Sequence, residues 1–305
     1  MNPPSRTTIV VVFVVLCLIW GSTWAVIQIG LQGVPPFTGV SLRFLIAGLI
    51  MMALTLAMRL RIGASRRERM LWLVNGVLSF AVSYGVVYWS EQWVPSGLAA
   101  VLFATYPLFV AIVGHFILPA ESLTRPEAWG ILAGFVGVGV IFSEDLSALG
   151  GAGVALAAAV MLLSPGSAAV SSVVVKRWGV GVHPFSLTAI PMLLGAGLTG
   201  LVALTTERGL PIVWDTRSVS AILYLAIVGS AVTFSLYYWL LSHLPAKRLA
   251  LIAYIIPIEA VVIGTFRDEP ITLRVILGAA LVIAGVALAV HRKTAEPKPL
   301  AKATT

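Results

Sequence analysis

Charge is what this chain has least of. Only 10% of its 305 residues are Asp, Glu, Lys or Arg, against 59% hydrophobic, where a soluble domain carries about 25% charged residues. A charged coat around a water-soluble fold of this size is therefore excluded, and the mean hydropathy is +1.00. Cysteine is nearly absent as well: Cys17 is the single one, so no internal disulfide is available, and no Cys/His cluster has zinc spacing. The four histidines, His115, His183, His243 and His291, are scattered near helix ends and links. No phosphate-binding glycine loop and no Asp-rich metal motif is present. Nothing here assembles a reactive centre, so neither enzyme chemistry nor a cofactor or metal is expected. The alternating pattern of membrane β-strands is also missing.

What is there is long apolar sequence. Runs of about 18 or more apolar residues fit transmembrane helices, which satisfy their own backbone hydrogen bonds in lipid. The pattern predicts an all-α polytopic membrane protein with ten transmembrane helices, at 9–30, 38–58, 69–90, 96–118, 126–143, 150–173, 184–206, 217–242, 246–266 and 271–291. The first run is too long for a signal peptide and lacks a small-residue cleavage site; it is expected to stay as a helix. The net charge of +8 fits basic cytoplasmic loops better than nucleic acid, which is not an expected partner. With the N-terminus in the cytoplasm, fifteen Lys and Arg fall inside and four (Arg208, Arg217, Arg267 and Arg274) outside, Arg43 lying within helix 2. That bias predicts both termini in the cytoplasm of a cell inner membrane.

The chain also repeats itself. Tyr88, Trp89, Pro95, Ala100, Pro107, Gly114 and Phe116 recur as Tyr238, Trp239, Pro245, Ala250, Pro257, Gly264 and Phe266 with no gap. With a two-residue slip, Glu121, Thr124, Gly130, Gly137 and Val138 match Glu269, Thr272, Gly278, Gly285 and Val286, and Pro36–Phe37 matches Pro184–Phe185. Two halves of five helices follow, 1–145 and 150–291, with a polar tail at 292–305 expected to be disordered. Five is odd, so the second half enters the membrane from the opposite side. Two inverted five-helix repeats are the usual build of a secondary transporter, which opens a central site to each side in turn. A passive channel, a membrane-embedded enzyme or a scaffold are the alternatives.

Short motifs then point to a family. Helix 1 carries Trp20-Gly21-Ser22-Thr23-Trp24, helix 2 carries Arg43-Phe44-Leu45-Ile46-Ala47-Gly48, helices 4 and 9 carry a mid-helix proline, and Glu121 and Glu269 precede helices 5 and 10. In this order the chain resembles the EamA family of the drug/metabolite transporter superfamily over nearly its whole length. The resemblance implies an exporter of amino acids, other metabolites or drug-like compounds, working without ATP hydrolysis. It implies a cavity lined by helices 1, 3, 4, 6, 8 and 9, with helices 5 and 10 at the periphery or in a homodimer contact. The related small multidrug transporters carry a membrane-embedded Glu on their first helix; helix 1 here has none.

Polar and aromatic groups inside the spans are the candidate site, because lipid disfavours them elsewhere. Trp20, Trp24 and Gln28 share a stripe on helix 1 with Cys17 and suit an organic solute, or serve packing. Asn75 and Ser79 share a face of helix 3 with Ser83. Ser167 lies between Ser164 and Ser171 on helix 6, where small hydroxyls also allow close helix packing. Tyr237 continues the Ser230–Thr233 stripe of helix 8. Tyr84, Tyr106 and Tyr254 each offer a ring plus one hydrogen bond to an amphipathic small-molecule substrate. Pro107 and Pro257 are expected to kink helices 4 and 9. Glu259, inside an apolar helix where a charge costs ~2.5–3.5 kcal/mol, is the candidate for proton coupling; a structural hydrogen bond or a salt bridge to Arg43 are its other readings. Arg43 itself is open to a solute carboxylate, a lipid phosphate, snorkelling or pairing. The spacing Gly130-xxx-Gly134 suits close helix contact or dimerisation.

Overall fold

The computed structural model describes residues 4–60, 62–63, 65–118, 124–143, 153–243, 252–266 and 272–290. The Glu121 and Glu269 junctions, the 292–305 tail and the side chains of Tyr254 and Pro257 lie outside that description. Among the described residues the chain is helical, with no strand. Eight helices are long and apolar enough to cross a membrane: α1 (Arg6–Leu31), α2 (Pro36–Ala57), α3 (Arg66–Ser90), α4 (Ser96–Ile117), α5 (Arg125–Phe142), α6 (Val154–Trp178), α7 (Ser186–Thr206) and α8, which qualifies over Thr216–Tyr237 and continues to His243. Two more apolar helices follow, α9 (Ile252–Thr265) and α10 (Leu273–Val290).

Local chemistry sets the ends. Ser65 with Glu68 and Thr124 with Glu127 form capping boxes at the starts of α3 and α5, satisfying backbone donors that have no partner inside the helix. The Asp215 carboxylate accepts from Ser218 N at 2.7 Å and caps α8; that bond holds its carboxyl below the usual range. Glu207, after α7, reaches back across the bundle to α2. Its carboxylate accepts from Phe37 N at 2.7 Å and from Thr38 N at 2.8 Å and Thr38 Oγ1 at 2.7 Å, closing a helix N-terminus that offers no side-chain cap of its own. The helix at 150–173 is shifted to Val154–Trp178, because Val174 and Val175 pack against Leu71, Val182 and Leu187 and carry the helix further.

Two kinds of irregularity interrupt the rods. Helix α4 breaks at Ala104–Thr105, just ahead of Pro107. Proline has no N–H for the carbonyl four residues back, and the Thr105 hydroxyl donates to Leu102 O at 2.7 Å in the gap. Wide π turns occupy Asn75–Ser83 in α3 and Ile227–Val232 in α8, at corresponding places of the two sequence repeats. No periodicity in the sequence announces them.

The packing map has a simple regularity. Helix α1 lies against α8 and α9, and α6 against α3 and α4; α2 meets α7 and α8, and α7 meets α2 and α3; α5 meets α10. Each contact maps onto another when first-half helices are exchanged for second-half ones. The α5–α10 seam is built on glycine: a Cβ on Gly137 would stand 2.7 Å from Gly278 O, and one on Gly285 would stand 2.5 Å from Gly130 O. Gly137 meets Gly278 and Gly285 meets Gly130, so the helices run antiparallel. These glycines are engaged inside one chain and are not presented to a second copy, which removes the spacing argument for dimerisation. Substitution of Gly285 by Leu is expected to destabilise the fold by about 1–3 kcal/mol through overpacking. A fall in detergent melting temperature reads this out. Gly139→Leu is the control, since a Cβ there meets nothing within 4 Å.

Candidate functional site

The polar centre of the bundle is Arg43, only 1% exposed eight residues into α2. Its Nε donates to Ser230 Oγ at 3.0 Å and its Nη2 to Gly229 O at 3.1 Å. Both acceptors belong to the π turn of α8. There the Ser230 hydroxyl donates to Leu225 O, five residues back, at 2.9 Å, which leaves its oxygen free to accept from Arg43. Glycine at 229 lets α8 approach α1: a Cβ there would lie 3.0 Å from Thr23 Cγ2, while at 3.7 Å from Arg43 Nη2 it would make only ordinary contact. The guanidinium carbon sits 4.9 Å from the centroid of the Tyr84 ring and 5.3 Å from that of Phe44, and the buried Tyr88 phenol lies beside it. Nη1 is buried with no hydrogen-bond partner.

Magnitudes show why this matters. Removing an ion from water costs several kcal/mol. Hydrogen bonds from a charged donor return ~1.5–3 kcal/mol each, and a desolvated cation–π contact about 2 kcal/mol. Two bonds and two rings thus bring Arg43 near break-even, with one nitrogen unsatisfied.

An aromatic wall surrounds this group. Phe44 and Tyr84 meet edge to face at 4.8 Å, and Phe80 lies parallel to Tyr84 at 6.3 Å. Phe80 touches Phe234 at 5.7 Å, Phe234 touches Trp20 at 6.3 Å, and Trp20 touches Tyr237 at 5.5 Å. A second group joins Trp24, Phe103 and Tyr106, at 5.5 and 5.9 Å. Three of the predicted aromatic residues, Trp20, Tyr84 and Tyr237, are thus brought together from α1, α3 and α8 through Phe80 and Phe234, while Trp24 and Tyr106 form the α1–α4 group with Phe103.

Glu259 stands elsewhere. Its carboxylate presses on α1 at Gly21, where any Cβ would overlap it, and its buried Oε2 has no hydrogen-bond partner. Gly21 faces Glu259 and Thr23 faces Gly229; two residues apart on a helix is ~200° of rotation. Helix α1 therefore separates Glu259 from the Arg43 contact. The salt bridge between them is not formed.

Several predicted residues are tied up in helix packing. Asn75 donates through Nδ2 to Leu187 O at 2.7 Å and accepts from Ser171 Oγ at 3.0 Å. Ser83 and Ser164 share a hydrogen bond of 2.8 Å, and Ser167 bonds back to Ser164 O at 3.0 Å. Gln28 donates to Val94 O at 2.9 Å and ties α1 to the α3–α4 link. Tyr106 donates to Ser172 Oγ at 2.7 Å. Ser79 is half-buried on α3. The residues that sequence reasoning passed over as site residues are Gly21, Gly229, Phe80, Phe103 and Phe234. Glycine inside an apolar helix was the available signal for the first two; for the phenylalanines there was none, since apolar rings in apolar spans are ordinary. A surface depression lined by Trp214, Asp215, Thr216 and Leu223 lies about 20 Å along α8 from Gly229 and is not part of this centre.

Packing is uneven from end to end. At the end carrying the α1–α2 and α3–α4 links, Val34, Val94 and Ser96 through Leu102 are all buried. At the other end of α4, within Tyr106–Ile117, only Leu108 and Gly114 are.

Comparison with known proteins agrees with this architecture. The model of the EamA-like transporter family matches residues 7–143 and again 152–291. The chain is 26% identical to the uncharacterized transporter YoaV of Bacillus subtilis, over 88% of this chain and 92% of that protein. It is 32% identical to the uncharacterized inner membrane transporter YedA of Escherichia coli K12, over 82% of this chain and 79% of that protein. A crystal structure 21% identical superposes with a TM-score of 0.64, covering 93% of this chain and 97% of the other, which establishes the fold.

Replacing Asn75 with Ala is expected to lower stability by about 1–3 kcal/mol, because Leu187 O and the Ser171 hydroxyl lose a buried partner. A lower melting temperature in detergent is the expected result; unchanged melting with weakened solute binding would instead place Asn75 on the solute.

Proposed function

We propose that this chain, which belongs to the EamA-like transporter family, is a secondary active carrier that exports a small organic metabolite, amino acid or drug-like compound by alternating access. It is a multi-pass membrane transporter; the finer reading is ten spans in two inverted five-helix repeats, residues 1–145 and 150–291, with both termini in the cytoplasm of the inner membrane. The observation that carries it is the exchange symmetry of the packing, with α5 and α10 crossing antiparallel at Gly137–Gly278 and Gly130–Gly285. Corresponding helices that run in opposite directions are what an inverted repeat requires. The two separate family matches support the same division.

In this reading the tightly packed end faces outward and the conformation is closed to that side. The solute sits among Trp20, Trp24, Tyr84, Tyr237 and Phe234, where rings offer an apolar bed with a few polar edges. Exchange to the other state loosens Gln28–Val94 and the neighbouring links and closes the opposite end. Glu259 against Gly21 is the coupling group: its unsatisfied oxygen is suited to hold a proton in one state and release it when α1 and α9 part. That similar proteins of Bacillus subtilis and Escherichia coli are named transporters favours carriage over catalysis.

Three measurements test this. Cysteines placed at residues 32 and 181, both exposed, are expected to label from opposite sides of the membrane; labelling from one side overturns the topology. Trp24→Ala is expected to reduce flux in proteoliposomes at least tenfold while expression persists, and unchanged flux removes Trp24 from the path. Glu259→Gln is expected to abolish the dependence of flux on a pH gradient, and retained dependence discards that residue as the coupling group.

A further inference from the structure

We propose that Arg43 is an anion subsite for a carboxylate-bearing solute, and that in the conformation seen here the π turn of α8 occupies it. This rests on the carrier reading above and names its substrate class. Arg43 is 1% exposed, and among the described residues no carboxylate lies within ion-pair distance of it. It is also the one Lys or Arg among the described residues that stands more than one and a half turns from both ends of its helix. A guanidinium so placed reaches neither a lipid phosphate nor water.

Its present ligands are substitutes for an anion. The Gly229 carbonyl and the Ser230 hydroxyl present two oxygens to Nη2 and Nε, on one edge of the guanidinium. That is the edge-on arrangement in which a carboxylate would accept two parallel bonds. Both oxygens are neutral, so the exchange of the α8 turn for a carboxylate gains a full charge on the acceptor. Nη1 is buried without a well-formed hydrogen bond, and the Tyr88 phenol is the polar group beside the guanidinium. Tyr84 and Phe44 cover the guanidinium face and leave its edges for ligands. One guanidinium balances one charge, which selects a monoanion over a phosphate dianion. The aromatic wall that begins at Tyr84 and Phe44 continues through Phe80 and Phe234 to Trp20 and suits an apolar body attached to that carboxylate.

The device also links binding to movement. Arg43 fastens α2 to α8, and Gly229 packs on Thr23 of α1. A carboxylate that takes over the guanidinium releases α8 from α2, so the solute itself unlocks the closed end.

The test uses the full-length protein in detergent and acid–amide pairs of equal shape: butyrate and butyramide, 3-phenylpropionate and 3-phenylpropionamide, indole-3-acetate and indole-3-acetamide. At millimolar concentration the acid of at least one pair is expected to raise the melting temperature of the wild-type protein while its amide does not. Arg43→Gln is expected to erase that difference. Ser230→Ala, which removes one competing oxygen and keeps the arginine, is expected to bind the acid about three- to tenfold more tightly, a result that a merely structural Arg43 does not produce. Equal responses to acid and amide in every pair, including no response, overturn the subsite, as does weaker acid binding in Ser230→Ala. Proteoliposomes separate this from the carrier reading. Flux of a neutral aromatic solute with no preference for acids sinks the anion subsite alone, whereas absence of flux for every solute tried sinks the carrier.

Discussion

A buried guanidinium that must be satisfied without water organises the middle of this protein. Arg43 sits where neither lipid nor solvent can hydrate it, so its neighbours are arranged to supply oxygens and ring faces. The π turn of α8 delivers a carbonyl and a hydroxyl together, and Gly229 lets that turn pack closely on Thr23 of α1. Such wide turns forfeit regular helical bonding and are commonly found at functional sites. The matching turn in α3, Asn75–Ser83, carries the polar contacts of the α3–α6–α7 interface instead. One irregularity, copied with the repeat, has been put to two uses.

The same constraint explains how polar residues divide across the bundle. Many serine and threonine hydroxyls bond back to carbonyls of their own helix, while Ser41, Asn75, Ser83 and Ser171 make bonds between helices, as polar groups in lipid must. Gln28 and Glu207 secure links and helix ends. Arg43 Nη1 and Glu259 Oε2 are among the buried polar atoms that make no hydrogen bond. They stand on opposite sides of α1, so neither neutralises the other. A carrier needs groups whose partners change during its cycle, and those with unfilled valences in one state are the ones available to change.

Close helix approach is the second organising fact. Glycine carbonyls and Cα atoms face each other along α5 and α10, and the contact α2–α7 is similarly tight, with Ser41 donating to Ala196 O at 2.8 Å and Gly48 lying against Leu193. In both cases a helix of the first half packs on its counterpart from the second. Seams of this kind join the halves closely, while α3, α4 and α8 are the helices interrupted by π turns or by proline.

Much of this was legible from residue order. Helical spans are read from apolar length, because a backbone in lipid has few ways to bond itself, and eight of the ten runs meet that standard in full. The family was legible from motif order, and the family match bears it out. The Trp20–Trp24 stripe of α1 and the Ser230–Thr233–Tyr237 stripe of α8 were read from helical spacing. What the order of residues left open was partnership. Whether Asn75 faces solute or Leu187, whether Glu259 pairs with Arg43 or rests on Gly21, and whether α5 glycines meet a second molecule or α10 are questions about residues more than a hundred positions apart. Periodicity reports which face a side chain occupies on its own helix, and nothing about the helix opposite. That information arises only when the helices pack, since it depends on rotation and depth of one rod against another, and on turns such as Ile227–Val232 that shift the register where no sequence signal marks them.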